Sequence, residues 1–184
     1  MEKKALVPIA NGSEEIEAVC IIDVLRRTGI DVTVASVEET LQVTASRHTA
    51  LVADVLIGEC AGQTYDLIAL PGGMPGAEHL RDCATLIDLL RAQREAGRLY
   101  GAICAAPVVA LQAHGLLAGR KATAHPGVSD QLPDQGAVPQ RVVVDGNCVT
   151  SRGPGTAIEF ALALVAALFD EEKAREIGEH MLIK

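Results

Sequence analysis

The sequence predicts an α/β domain in which a mostly parallel sheet carries helices on both faces. Short apolar runs alternate with longer amphipathic stretches along the whole chain, the strand–helix rhythm of crossover units. Those runs are continuously apolar rather than alternating, as strands covered on both faces must be. The residue types best suited to chemistry gather just after the predicted strands, at the edge where open parallel sheets bind ligands.

Taken in order, Ala5 to Ala10 is a buried strand, and Asn11-Gly12-Ser13 turns it into a helix from about Glu14 to Thr28 with Gly29 as its stop. Asp31 to Val37, rich in Val and Thr, is the second strand. Residues 38–62 are less periodic; Leu41 to Val43 and Leu51 to Val55 read as two short extended pieces flanking Ser46-Arg47-His48. Asp66 to Leu70 is a further buried strand, ended by Pro71-Gly72-Gly73-Met74-Pro75-Gly76. A helix is predicted from about Ala77 to Glu95, with a stripe through Leu80, Leu86, Ile87 and Leu90. Leu99 to Ile103 is a strand that stops at Cys104 and turns into a helix running to Gly115. Lys121 to Ala124 reads as a short strand before His125-Pro126, and Val142 to Thr150 as a hairpin turning at Asp145-Gly146. Ser151-Arg152-Gly153-Pro154-Gly155 opens a helix from Thr156 to Phe169, and a last helix spans about Glu171 to His180. Without a composition break, residues 1–184 read as one domain.

Composition narrows the function. Aromatics make up 2% of the chain, so the core is built from aliphatic side chains. A net charge of −8 without a basic run argues against nucleic acid as the main partner, because neutralising phosphates takes clustered Lys and Arg. Five scattered cysteines form no CxxC pair, which fits free thiols in a reducing compartment. The apolar run near the N-terminus is shorter than a signal-peptide core, and Phe160 to Phe169 falls short of the roughly 20 residues a bilayer span needs. The expectation is a cytoplasmic protein that does not engage a membrane.

Cys104 sits where a strand turns into a helix. Such a turn pushes its middle side chain outward, as in a nucleophile elbow, and the free N–H groups of the new helix favour a thiolate. The alternative is a packed cysteine of the core. Glu17 heads an apolar stripe through Cys20, Ile21, Val24 and Leu25, a position where a carboxylate needs a partner; alternatively it serves the helix dipole, as Glu14 and Glu15 do. If Glu17 meets Cys104, the two compete for one proton and titrate as a unit. Gly72, Gly73 and Ala105 are candidate backbone donors to an oxyanion. His125 is a candidate base or orienter for the thiol, or a structural hydrogen-bonding histidine. Arg152 either fixes a substrate carboxylate or phosphate or pairs with an acidic neighbour. Cys20 and Cys148 read as core. No phosphate loop or dinucleotide fingerprint is present, so no cofactor is implied. His79 and Cys83 lie four apart without a third ligand nearby, so no metal site is predicted.

Gly12 to Glu17, Leu70 to Gly73, Ala102 to Ala105, Ala124 to Pro126 and Thr150 to Thr156 together resemble the ThiJ/PfpI superfamily, and within it the branch of the parkinsonism-associated deglycase (DJ-one). The resemblance implies a flavodoxin-like sandwich, usually a homodimer. It makes Cys104 the reactive cysteine, Glu17 its protonated partner, His125 the family histidine, and Gly73 and Ala105 the oxyanion amides. It also places Arg47 where an arginine of the neighbouring subunit approaches the cysteine. The activities implied are cofactor-free conversion of methylglyoxal or glyoxal to hydroxy acids and deglycation of glycated proteins or amino acids. The alternatives are a stress sensor working by oxidation of Cys104 or a chaperone. Peptidase members of the superfamily carry His directly after the cysteine; Ala105 stands there in this chain, which argues against that activity. A second cysteine of related sequences is replaced by Ala45.

Overall fold

The computed structural model describes residues 3–183. Strand β1 (Lys4–Ile9) leads into α1 (Glu15–Arg27), which returns to β2 (Asp31–Ser36). A small hairpin, β3 (Gln42–Thr44) with β4 (Ala50–Val52), precedes β5 (Val55–Leu56) and β6 (Leu67–Leu70). Helices α2 (Gly76–Asp82) and α3 (Ala84–Glu95) follow, then β7 (Leu99–Ile103), the hairpin β8 (Val142–Asp145) and β9 (Cys148–Ser151), and finally α4 (Ala157–Leu168) and α5 (Glu171–His180).

Seven strands form one sheet in the order β5-β2-β1-β6-β7-β9-β8. All neighbours are parallel except β8, which lies antiparallel to β9 at one edge. From β1 the chain first builds outward to β2 and β5, then crosses back to build β6, β7 and β9 on the other side. The order therefore reverses beside β1, and the loops leaving β1 and β6 diverge into a crevice at the carboxyl edge.

Strand side chains alternate between two cores. Leu67, Ala69, Leu99 and Ile103 join Ile21, Leu25, Phe160 and Leu164 of α1 and α4 on one face. Ile68, Leu70, Tyr100 and Ala102 join Leu80, Leu86 and Leu90 of α2 and α3 on the other. Sheet and helices thus form the expected three-layer sandwich. Polar groups within the two cores are paired: the Tyr100 hydroxyl donates to the Leu116 carbonyl at 2.7 Å, and the Gln93 amide donates to the Tyr65 and Leu99 carbonyls.

Several elements differ from the sequence reading. The helix expected over 77–95 breaks at Cys83, whose ψ of 99° is extended, so α2 and α3 tilt independently against the sheet. The helix expected after Cys104 is a five-residue π turn, Pro107–Leu111, continued by a 3₁₀ turn, Gln112–His114. Lys121 to Ala124 is no ladder strand. Its backbone N–H groups bond side chains instead, Lys121 to Asp145 and Thr123 to the Thr150 hydroxyl. The extended piece expected over 51–55 splits between the small hairpin and β5, which pairs with β2. The helix expected from Thr156 starts at Ala157 after a 3₁₀ turn. Cys20 is half-buried, and Ala18 takes the inward place beside Glu17; Cys148 is core as expected. Among the described residues no helix is long and apolar enough to cross a membrane.

Gly101 is the tightest point of β7: a Cβ there would lie 2.7 Å from the Val149 carbonyl oxygen and about as close to Leu164 and Phe160 as packing permits. Gly101→Ala should therefore destabilise the fold by roughly 1–3 kcal/mol. In a thermal melt followed by circular dichroism this lowers Tm by about 2–10 °C; an unchanged Tm would show that β7 and β9 separate freely.

Candidate active site

Cys104 is the first residue beyond β7, and its φ of 65° places a non-glycine residue in the left-handed region. Backbone contacts hold it there. Its N–H donates to the Ser151 carbonyl at 3.0 Å, and its own carbonyl accepts from the His125 N–H at 2.8 Å. The strained turn lifts the side chain off the strand toward the crevice, where the residue keeps 9% of its exposure. The Gly73 and Ala105 amides face the thiol and favour its ionised form.

Glu17 lies one turn into α1 and is fully buried. Glu14 caps the helix, its carboxylate accepting from the Glu17 N–H at 2.8 Å, so the Glu17 side chain is not needed for the cap. Its Oε2 accepts from the Gly72 N–H at 2.8 Å. Its buried Oε1 has no conventional hydrogen-bond partner, and the Cys104 thiol is its polar neighbour. Burial pushes the Glu17 carboxyl up to about 7, against the opposing influence of the Gly72 hydrogen bond and the neighbouring Cys104 thiol. Burial, with the Glu17 charge beside it, pushes the Cys104 thiol up to about 12, and the Gly73 and Ala105 amides only partly oppose this. Burial and the neighbouring carboxylate thus act against the thiolate that the local amides favour. The helix is a short π turn, and desolvation outweighs the local dipoles. The pair instead holds a shared proton at neutral pH, the coupled arrangement the sequence suggested.

The glycines divide their work. The Gly72 N–H goes to Glu17, which removes it from the oxyanion donors the sequence proposed, while those of Gly73 and Ala105 face the thiol. Gly73 has φ 87°, and a Cβ on it would lie 2.3 Å from the Gly12 carbonyl oxygen. A Cβ on Gly76 would meet the Ser13 N at 2.4 Å. The loops after β1 and β6 are therefore interlocked backbone against backbone.

His125 is exposed, and its Nδ1 accepts from the Gly127 N–H at 3.1 Å. A neutral ring so fixed carries its proton on Nε2 and is a donor there, so its predicted role as base gives way to that of orienter or acid. Among the described residues Arg152 joins no ion pair, and its buried Nε has no hydrogen-bond partner. Arg47 is exposed on the tip between β3 and β4, its guanidinium reaching, among the described residues, only the Ser46 carbonyl at 3.4 Å. That tip is fastened by Glu15. Although partial burial opposes it, hydrogen bonds from Ser46, Thr49 and the Arg47 N–H hold Glu15 down at about 2. Glu15 therefore anchors the hairpin rather than the helix dipole, a role for which the sequence carries no local signal. Gly127, which fixes the His125 tautomer, was missed for the same reason. His79 pairs with Glu38 at 2.6 Å, and no group of three metal-ligating side chains is found among the described residues.

Comparison with known proteins identifies the family and the fold. Residues 3–167 match the DJ-1/PfpI family. The chain is 50% identical to Protein DJ-1 homolog A of Arabidopsis thaliana over 97% of its own length, but it spans only 45% of that protein. It is 38% identical to the glutathione-independent glyoxalase DJR-1.2 of Caenorhabditis elegans, covering 96% of this chain and 94% of that one. The structure of oxidized Toxoplasma gondii DJ-1 superposes with a TM-score of 0.96 at 51% identity, covering 98% of both chains.

Two outcomes follow from the shared proton. The alkylation rate of Cys104 by iodoacetamide should rise with one proton as pH passes about 7, and this step should vanish in Glu17→Gln. A single rise far above pH 7 in both proteins would rule out the coupling. For stability, Glu17 releases its proton near 4.5 when unfolded and near 7 when folded, so the fold retains a proton that the unfolded chain has lost. Stability should thus fall between about pH 4.5 and 7 and level off above, and Tm of Glu17→Gln should not follow this fall.

Proposed function

The chain belongs to the DJ-1/PfpI family, and from that premise we propose that it is a cofactor-free, cysteine-dependent enzyme acting on α-oxoaldehydes or early glycation adducts. The observation that carries this reading is the buried Glu17–Cys104 pair beneath the Gly73 and Ala105 amides. A carboxylate raised to about 7 is matched to neutral pH as a general base.

The steps follow from the chemistry of the pair. As the Cys104 sulfur bonds the aldehyde carbon of methylglyoxal, its proton passes to Glu17 and the carbonyl oxygen becomes an oxyanion facing the two amides. That oxyanion takes the proton back from Glu17, which completes the hemithioacetal and leaves Glu17 a carboxylate. Glu17 then moves the proton from the former aldehyde carbon to the neighbouring one through an enediol, while His125 donates to the neighbouring carbonyl oxygen, leaving a thioester. Water hydrolyses the thioester, releasing lactate and restoring the thiol. Oxidation at one carbon is balanced by reduction at its neighbour, so no external redox partner is required. Glyoxal gives glycolate by the same route, and a deglycase shares the first addition.

Exposed Ile16 and Val19 on α1 and exposed Val52 on the adjoining hairpin support a homodimer built on that face. Arg47 stands on the same hairpin, which supports its approach to a partner's Cys104. Free cysteines at all five positions support a reducing, cytoplasmic setting. A second reading is favoured by one observation, the oxidized state of the Toxoplasma relative. As a sensor, Cys104 takes one oxygen from each of two peroxides, becoming sulfenate and then sulfinate and releasing two waters. Ala105 after the nucleophile weighs against a peptidase.

Steady-state loss of methylglyoxal with lactate quantified separates the two readings. The enzyme reading expects many turnovers per subunit, a fall of at least about 10³-fold in Cys104→Ser and of about 10²-fold or more in Glu17→Gln. Consumption that stops near one equivalent per subunit would overturn it in favour of the sensor.

A further inference from the structure

Arg152 stands apart from the arginines around it. Arg141 pairs with Glu159 at 2.6 Å, and Arg120 is held by Asp145 and Asn147. Among the described residues Arg152 joins no ion pair. Its Nε is buried with no hydrogen-bond partner. Removing part of a guanidinium from water without a partner costs about 1–3 kcal/mol or more, and an acceptor supplied by a ligand would remove that cost.

Its place in the sheet says which ligand. β7 and β9 run parallel with Ile103 against Ser151, so the next positions along the ladder are Cys104 and Arg152. The Cys104 N–H donates to the Ser151 carbonyl, one residue before Arg152. On the other side, a Cβ built on Gly153 would lie 3.6 Å from the His125 ring, whose backbone N–H bonds Cys104. The unpaired cation therefore shares one rim with the nucleophile and the histidine.

We propose that Arg152 anchors a carboxylate on the substrate, so that the preferred substrates are α-oxoaldehydes or carbonyl adducts bearing a carboxylate rather than neutral ones. A single planar guanidinium matches a singly charged carboxylate through two parallel N–H donors. A phosphate dianion calls for further cationic donors, and within one subunit Arg152 has no second cation beside it in this constellation of Cys104, His125 and Gly153. The inference rests on the reading that Cys104 attacks the carbonyl, but it is testable without turnover.

The test compares alkylation of Cys104 by anionic iodoacetate and neutral iodoacetamide, each read as the Cys104 peptide adduct by mass spectrometry. The readout is the ratio of the two rates in wild type, Arg152→Gln and Arg152→Lys. The expected result is a ratio that falls at least 5-fold in Arg152→Gln and is partly retained in Arg152→Lys. A variant that merely loosens the fold changes both reagents together and leaves the ratio unmoved. An equal ratio in all three proteins overturns the proposal, as does a loss in Arg152→Lys as complete as in Arg152→Gln. Methylglyoxal turnover by the same wild-type protein keeps the two ideas apart. Turnover with an unmoved ratio removes the carboxylate anchor alone. A charge-dependent ratio without turnover removes the enzyme reading and leaves Arg152 as an anion site beside a reactive thiol.

Discussion

A carboxyl group with no access to water sits at the centre of this fold, and most of the surrounding architecture serves to hold it. Glu17 is buried on α1, where only one of its oxygens has a backbone donor and the other is left to a thiol. An ionised carboxylate in that position is unfavourable, so the site retains a proton near neutrality and shares it with Cys104. Neither residue has this property alone. Glu17 on an exposed helix would be an ordinary acid, and Cys104 without its neighbour would be one more buried thiol.

The geometry that brings them together is made by backbone rather than by side chains. The loops after β1 and β6 pack so closely at Gly12, Gly73 and Gly76 that no Cβ fits between them. One consequence is that the Gly72 and Gly73 amides, consecutive in sequence, point at different targets, the first at Glu17 and the second at the thiol. The left-handed turn at Cys104 is tied to β9 through Ser151 and to the 125–127 segment through His125. Three separate stretches of chain thus meet at one residue. The reversal of strand order beside β1 is what leaves room for them.

Where sequence reasoning met its limit, the cause was a competition between local and distant effects. The break at Cys83 lies in a stretch whose helical periodicity is uninterrupted, and packing of α2 and α3 at separate places on the sheet overrides it. The Lys121–Ala124 segment has strand-like composition but takes its hydrogen bonds from the side chains of Asp145 and Thr150. Glu15 and Glu14 are adjacent and alike, yet one fastens the hairpin and the other caps α1. Local pattern cannot separate two such residues, because their partners lie about 30 residues apart in one case and within one turn in the other.

By itself the sequence determined the layered α/β architecture, and it marked the carboxyl edge as the candidate site with Cys104, Glu17, Gly73 and Ala105 as its candidate members. These are written in apolar periodicity, in turn residues and in a carboxylate misplaced on an apolar stripe, all of them local signals. Tertiary structure alone decided the protonation of the pair, the division of the Gly72 and Gly73 amides, the tautomer of His125 and the unpaired state of Arg152. Each depends on burial or on a donor brought from a distant strand or loop. Desolvation and hydrogen-bond satisfaction exist only once the chain has closed around the site, so no local pattern records them.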